Sequence, residues 1–161
     1  MRNTNKKGLD LIKHFEGCFL RPYIDPVGIP TIGIGTIAYE NGKKVTMQDP
    51  PITEERALEL LDFELNQKEA IIELFINKRK LILNDNQFSA LVSIAYNCGT
   101  GIITDPGRSL HQAILNGRPD NIKKAWMLYN KGTKKIFGIS RKVELPGLTR
   151  RRKAELDLYF S

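Results

Sequence analysis

The sequence predicts an α+β fold: a small β-containing lobe near the N-terminus, one long connecting helix, and a helical lobe that completes the chain. Three observations carry this. Residues 22–47 are rich in Pro, Gly, Thr, Ile and Val, with turn signals at Asp25-Pro26-Val27-Gly28 and Glu40-Asn41-Gly42-Lys43-Lys44, the pattern of short antiparallel strands. Thr53 followed by Glu54 and Glu55 opens a helical run to about Lys80, capped by the hydroxyl and favoured by acids in its first turn. At ~1.5 Å per residue it spans roughly 40 Å. From Asn84 or Asp85 onward, Phe88, Leu91, Val92 and Ala95 fall at i, i+3, i+4 and i+7, one face of a second core helix.

The remaining elements follow in order. Residues 7–16 read as a short helix ended by Gly17. Asn97-Cys98-Gly99 stops the second core helix, shorter helices are expected near 108–115 and 120–129, and after Pro146 the segment 147–159 closes the fold by burying Leu148, Leu156 and Tyr159. The chain thus reads as a single domain, 1–161: a small lobe about 14–60, a connecting helix about 53–80, and a helical lobe about 81–161 that also takes the N-terminal helix. A cleft between lobes is where substrates usually sit.

Composition narrows the classes. With 161 residues, 41% hydrophobic and 27% charged, the chain suits one soluble domain. The longest apolar run, Ala70 to Ile76, is broken by Glu73, far short of the ~20 residues of a membrane span. The basic N-terminus lacks the apolar core of a secretory signal, so accumulation in the cytoplasm is expected. Cys18 and Cys98 form no CxxC pair and read as free thiols, and His14 and His111 are too few for a zinc site; no metal or cofactor is expected. A cysteine nucleophile at Cys18 would need a histidine partner, and His14 is too near in sequence to serve.

The net charge of +7 is unevenly spread: from Arg118 onward twelve basic residues face four acidic ones, while the first 117 residues hold 13 against 14. Such a segment, ending in Arg150-Arg151-Arg152-Lys153, either attracts polyanions (nucleic acid, anionic lipid headgroups, an acidic cell wall) or is a solvated face that aids solubility.

Glu16 falls on the apolar face of the first helix, between Ile12 and Leu9, and at its C-terminal end. The helix dipole disfavours negative charge there, and burial does the same, so both favour a carboxyl that keeps its proton. The alternative is a frayed, solvated glutamate. Asp25 opens an Asp-Pro-x-Gly turn and Thr31 lies in a strand pattern, and each alone has an ordinary structural reading. Together they suggest an acid on a helix end and a carboxylate on a rigid turn flanking a glycosidic bond, with a hydroxyl to hold water.

The spacing Glu16, eight residues, Asp25, five residues, Thr31 resembles the phage-type lysozymes, the endolysins of glycoside hydrolase family 24. Phe15-Glu16-Gly17, "YIDPVG", "TIGIGT", "PITEERALELL", "NDNQFSALVSIAYNCGTG", "RSLHQAILNG" and "PGLTRRRKAEL" are similar to successive family segments over nearly all of residues 8–157. The resemblance implies a mostly helical lysozyme-like fold. It also implies muramidase activity (EC 3.2.1.17) on the β-1,4 bond between N-acetylmuramic acid and N-acetylglucosamine, causing host-cell lysis. Glu16 would be the general acid, while Asp25 and Thr31 would position the attacking water and give inversion. By position Tyr96 and Ser109 would face the cleft as substrate contacts. Arg151 would support the active-site helix through an ion pair, or else be a surface cation. Departures from many relatives are Ile34 in place of an aromatic, Thr36 in place of a histidine, Pro30 before Thr31, and a long loop at 38–51.

Such an enzyme would act as a monomer on bacterial peptidoglycan. It would stay in the host cytoplasm until a holin-type permeabiliser gave access to the wall, with the basic C-terminal segment a possible contact for the anionic outer membrane and no nucleic acid expected. The competing readings are a lytic transglycosylase, or a non-catalytic module binding cell wall or another polyanion.

Overall fold

A computed structural model describes residues 2–136 and 139–161; Phe137 and Gly138, within the basic C-terminal segment, lie outside the described residues. The order is α1 (Lys6–Glu16), β1 (Phe19–Ile24), β2 (Pro30–Gly33), α2 (Glu54–Arg79), α3 (Asp85–Cys98), α4 (Gly101–Thr104), α5 (Ser109–Asn116), α6 (Pro119–Met127), a 3₁₀ turn (Leu128–Asn130), β3 (Lys131–Ile136), β4 (Ile139–Glu144) and α7 (Pro146–Tyr159). The α+β class stands as expected.

Local chemistry sets the helix ends. The Asn5 side chain accepts from the Gly8 amide at the start of α1, the Thr53 side chain from the Arg56 amide at the start of α2, and Asn84 with Gln87 closes a reciprocal capping box on α3. Pro119 and Pro146 stand at the first positions of α6 and α7, where a missing N–H costs nothing.

Helix α3 is the hub. Every residue from Phe88 to Ala95 is buried, and a helix apolar on all sides can only be a core helix. It packs on α1, α2, α4 and α7. The approach of α1 is close enough that a Cβ at Gly8 would lie 2.7 Å from Ser89 Cβ and 2.7 Å from Thr4 Cγ2, so glycine is what lets these helices meet. Trp126, Leu91 and Ile103 are fully buried around this hub. In α7, Leu156 and Tyr159 are buried as expected, but Leu148, in the first turn, is only partly covered.

Strands β1 and β2 pair antiparallel, with Tyr23 opposite Thr31 and Ile24 opposite Pro30, and with an irregularity between Phe19 and Tyr23. Gly33 of β2 packs on Ala57 of α2, and the Ile52 amide donates to the Leu20 carbonyl.

Two elements were not expected. Helix α4 is a single turn. The hairpin β3–β4, in register from Lys131 opposite Glu144 to Ile136 opposite Ile139, interrupts the helical lobe that the sequence predicts. Every described residue of β4 except Val143 is exposed, so this strand lacks the apolar alternation by which a half-buried strand is recognised.

Candidate active site

Helix α1 delivers Glu16 as its last residue, and Gly17, at φ 71°, turns the chain away while its amide donates to the Lys13 carbonyl. The Glu16 side chain is 18% exposed and does not fray: Oε1 lies 2.6 Å from Nη1 of Arg151, 135 residues later. Arg151 thus makes an ion pair with the active-site helix through Glu16 itself, and its guanidinium is buried. On the other side stands the Ile34–Gly35 turn, where a Cβ on Gly35 (φ +82°) would come within 3.0 Å of Glu16 Oε2.

Asp25 organises its own loop. Its Oδ1 accepts the amides of Val27 (2.9 Å) and Ile29 (2.8 Å), its amide donates to the Ile29 carbonyl, and its carbonyl accepts the Gly28 amide. All four bonds span at most four residues, and they leave Oδ2 for chemistry. Thr31 is buried, and its hydroxyl donates inward to the Ile29 carbonyl at 3.0 Å. Toward a bound water it would therefore act as an acceptor.

Tyr23 belongs to this site and was missed. It pairs with Thr31 across the sheet. Burial raises the pKa of its phenol first, followed by the negative charges of Glu16 and Asp25. The signal present in the sequence is that Tyr23 stands only two residues before Asp25.

Tyr96 lies beside Glu16, but its hydroxyl donates to the Ile34 carbonyl at 2.7 Å, which commits the group expected to meet a sugar. Burial, then Glu64 and Glu16, push the Tyr96 phenol far above its ordinary range. Lys68 Nζ stands 5.1 Å from the centre of the Tyr96 ring and 3.5 Å from Glu64 Oε2. Burial raises the Glu64 carboxyl, with Lys68 pulling the other way. Glu64 and Lys68 were also missed, being ordinary polar residues of a long helix until α2 is packed.

Ser109 is exposed and lines a groove of about 490 Å³ with Arg108, Gln112, Asn116 and Lys124; Glu16, Asp25 and Thr31 are not part of that groove's lining.

Behind Arg151 lies a buried ionic cluster. Glu155, with no exposed surface, accepts from Ser93 Oγ (2.8 Å), Trp126 Nε1 (2.9 Å), Arg151 Nε (3.1 Å) and Arg152 Nη2 (3.0 Å). Arg152 Nε is 2.9 Å from Oε2, near enough for attraction but off the line of a hydrogen bond. Two of the arginines assigned to a surface patch are thus interior, because spacings of three and four on α7 bring both to Glu155. His111 is buried with Nδ1 2.7 Å from the Ile103 carbonyl, and neither cysteine is bonded to the other.

The arrangement offers a carboxyl beside a fixed cation, a second carboxylate with one free oxygen, and a hydroxyl acceptor next to it. That is a set able to give a proton at one point and take one at another. A sequence-family model described as phage lysozyme matches residues 13–155. The chain belongs to the phage lysozyme family. The phage lysozyme match is reinforced by individual relatives. An endolysin of Lactococcus phage c2 is 31% identical over 97% of this chain and 59% of its own length. The chain therefore spans about three fifths of that relative. Two solved phage proteins share the fold: an endolysin from the Escherichia coli phage FAHEc1 (38% identity, TM-score 0.82, 99% of this chain and 94% of that one) and a P22 lysozyme variant (30%, 0.72, 100% of each).

Proposed function

We propose that the chain is a peptidoglycan-degrading endolysin. On this reading the whole of 1–161 is one catalytic unit, a muramidase of glycoside hydrolase family 24 that hydrolyses the β-1,4 bond from N-acetylmuramic acid to N-acetylglucosamine. The observation that carries it is the pair of carboxyls held in unlike ways. Glu16 stands against Arg151 at a helix end, and Asp25 is fixed by its own loop with Oδ2 uncommitted.

Glu16 protonates the glycosidic oxygen as the bond to the anomeric carbon breaks, and the carboxylate left behind faces the Arg151 guanidinium. Water attacks the anomeric carbon from the other side, oriented by Thr31 and losing its proton to Asp25 Oδ2. Solvent exchange then returns both groups to their starting states. Inversion is what the resemblance to glycoside hydrolase family 24 implies, and an inverting pair is typically ~6.5–9.5 Å apart.

The test is clearing of outer-membrane-stripped Gram-negative cells by wild type, Glu16→Gln and Asp25→Asn, each checked for folding by circular dichroism. Clearing by wild type and not by folded Glu16→Gln is expected, whereas equal clearing would remove Glu16 as the acid. Mass spectrometry of the product separates hydrolysis from a transglycosylase, which yields an anhydro sugar, and NMR of the first-formed anomer tests inversion.

No helix of the described residues is long and apolar enough to cross a membrane. As the family resemblance implies, the enzyme on this reading is a monomer that waits in the host cytoplasm for a holin-type permeabiliser. Contact with an anionic outer membrane is best assigned to the hairpin, where Lys131, Arg141 and Lys142 are exposed, rather than to the buried Arg151 and Arg152. Replacing those three by Gln should reduce killing of intact cells while sparing stripped ones, and unchanged killing of intact cells would refute it.

A further inference from the structure

We propose that Tyr96 is a positioning residue for Glu16: its hydroxyl pins the Ile34 carbonyl to helix α3, and the Gly35 backbone so fixed is the wall that holds the Glu16 carboxyl against Arg151. The inference rests on Glu16 being the general acid.

The chain of contacts is short and continuous. The 2.7 Å bond from Tyr96 to Ile34 joins residues 62 apart, one on the hub helix and one in the turn after β2. That turn is closed at its other end by the reciprocal backbone bonds of Ile32 and Thr36. Three residues, Gly33, Ile34 and Gly35, lie between those bonds, and the Tyr96 hydroxyl holds the carbonyl of the middle one. Ile34 is buried in the common core. Gly35 meets two side chains at once, since a Cβ placed there would lie 3.0 Å from Glu16 Oε2 and 3.4 Å from Tyr96 Cε1. The carboxyl thus has a guanidinium on Oε1 and a glycine backbone beside Oε2, and each is fixed from outside the site, Arg151 by Glu155 and Gly35 by Tyr96. The ring is steadied in turn by Lys68, itself paired with Glu64. A general acid must meet a glycosidic oxygen at hydrogen-bond distance, and a misplacement of about 1 Å can cost ~100-fold in rate.

The test uses the full chain and soluble peptidoglycan fragments. Tyr96→Phe keeps the ring and removes only the donor. The expected result is a fall in kcat of at least fivefold (by the positional sensitivity above) with KM within about twofold. In protein carrying ¹³C-labelled glutamate, the carboxyl resonance of Glu16, assigned with Glu16→Gln, should shift. Gly35→Ala should lower kcat further, and the double variant should lose less than the product of the single losses, because both act on one placement. Tyr129→Phe, the same atom removed elsewhere, should leave kcat and the resonance unchanged.

Wild-type kcat with an unmoved resonance in Tyr96→Phe overturns the proposal, as does a rise in KM alone, which would make Tyr96 a sugar contact. If Tyr96→Phe fails to fold, the resonance in Gly35→Ala decides, and no shift there overturns it. The resonance is read without substrate, so a wild type that cleaves nothing would defeat the muramidase reading while leaving this placement separately testable.

Discussion

Glu155→Gln removes one charge from the most enclosed polar group in the molecule. The carboxylate faces Ser93 Oγ, Arg151 Nε and Arg152 Nη2 on Oε1, and Trp126 Nε1 and Arg152 Nε on Oε2. A glutamine amide can keep the first three by placing its oxygen there. Its NH₂ then confronts an indole N–H and a guanidinium N–H, donors facing donors; Arg151 keeps Glu16 as its one acid, and Arg152 keeps none among the described residues. Breaking a buried ion pair from one side costs about 3–5 kcal/mol, against a total stability of about 5–15 kcal/mol. For a chain of this size ~1 kcal/mol corresponds to about 2–4 °C in Tm, so the variant should fold but melt about 6–20 °C below wild type. Thermal and urea denaturation followed by circular dichroism measure this, with the urea midpoint falling and its slope unchanged. A melting point within about 3 °C of wild type would mean the cluster is not the buried, charge-dependent unit described.

Three further outcomes are expected. Asn84→Ala removes the half of the α3 capping box in which the Asn84 side chain accepts the Gln87 amide, leaving the Asn84 amide on the Gln87 side chain, and should cost about 0.5–2 kcal/mol in denaturation, with activity per folded molecule unchanged. The Asp49 carboxyl is held down at about 2, from an ordinary 3.8, by the Thr46 amide first and then by the Thr46, Tyr39 and Lys43 side chains against the opposing effect of burial. A depressed carboxylate stabilises the fold above its ordinary value and loses that contribution as pH falls through its folded one. Between about pH 4 and 2, Asp49→Asn should therefore lose less stability than wild type, as acid titration by circular dichroism would show. Burial raises the Cys98 thiol, which is partly covered and 3.1 Å from Arg152 Nη1, whereas Cys18 is exposed. Thiol titration of the native protein should therefore give one fast and one slow equivalent, and Cys18→Ser should remove the fast one.

What could be read from the sequence was what is decided locally. The end of α1 at Glu16 follows from Gly17, the Asp25 turn from the Asp-Pro-x-Gly order, and the starts of α2 and α3 from Thr53 and Asn84. What was missed is decided by partners far along the chain. Tyr23 enters the site through strand register, Lys68 and Glu64 through the packing of α2 on α3, and Glu155 through an interior that forms only when α7 docks. The basic count after Arg118 failed as a map of surface charge for the same reason: composition sums Arg151 and Arg152 with the exposed cations, although both are buried. The hairpin escaped because its exposed strand β4 shows no alternation to detect.

The two proposed catalytic carboxyls are therefore held by different kinds of structure, and this separates stability from activity in a testable way. Arg151 divides itself between Glu16 and Glu155, so a change in the buried cluster disturbs the acid and the core together. Among the described residues, Asp25 is held only by bonds within its own loop. An asparagine there can present its carbonyl oxygen to the Val27 and Ile29 amides as Oδ1 does, while its amide nitrogen can no longer take a proton from water. Asp25→Asn should accordingly melt within about 2 °C of wild type, as a change touching no buried partner does, while hydrolysis falls by a factor on the order of 100 or more. Glu155→Gln should lose both stability and rate. Paired melting curves and initial rates test this, and an Asp25→Asn that melts early would mean that the loop is held by something other than its own four bonds.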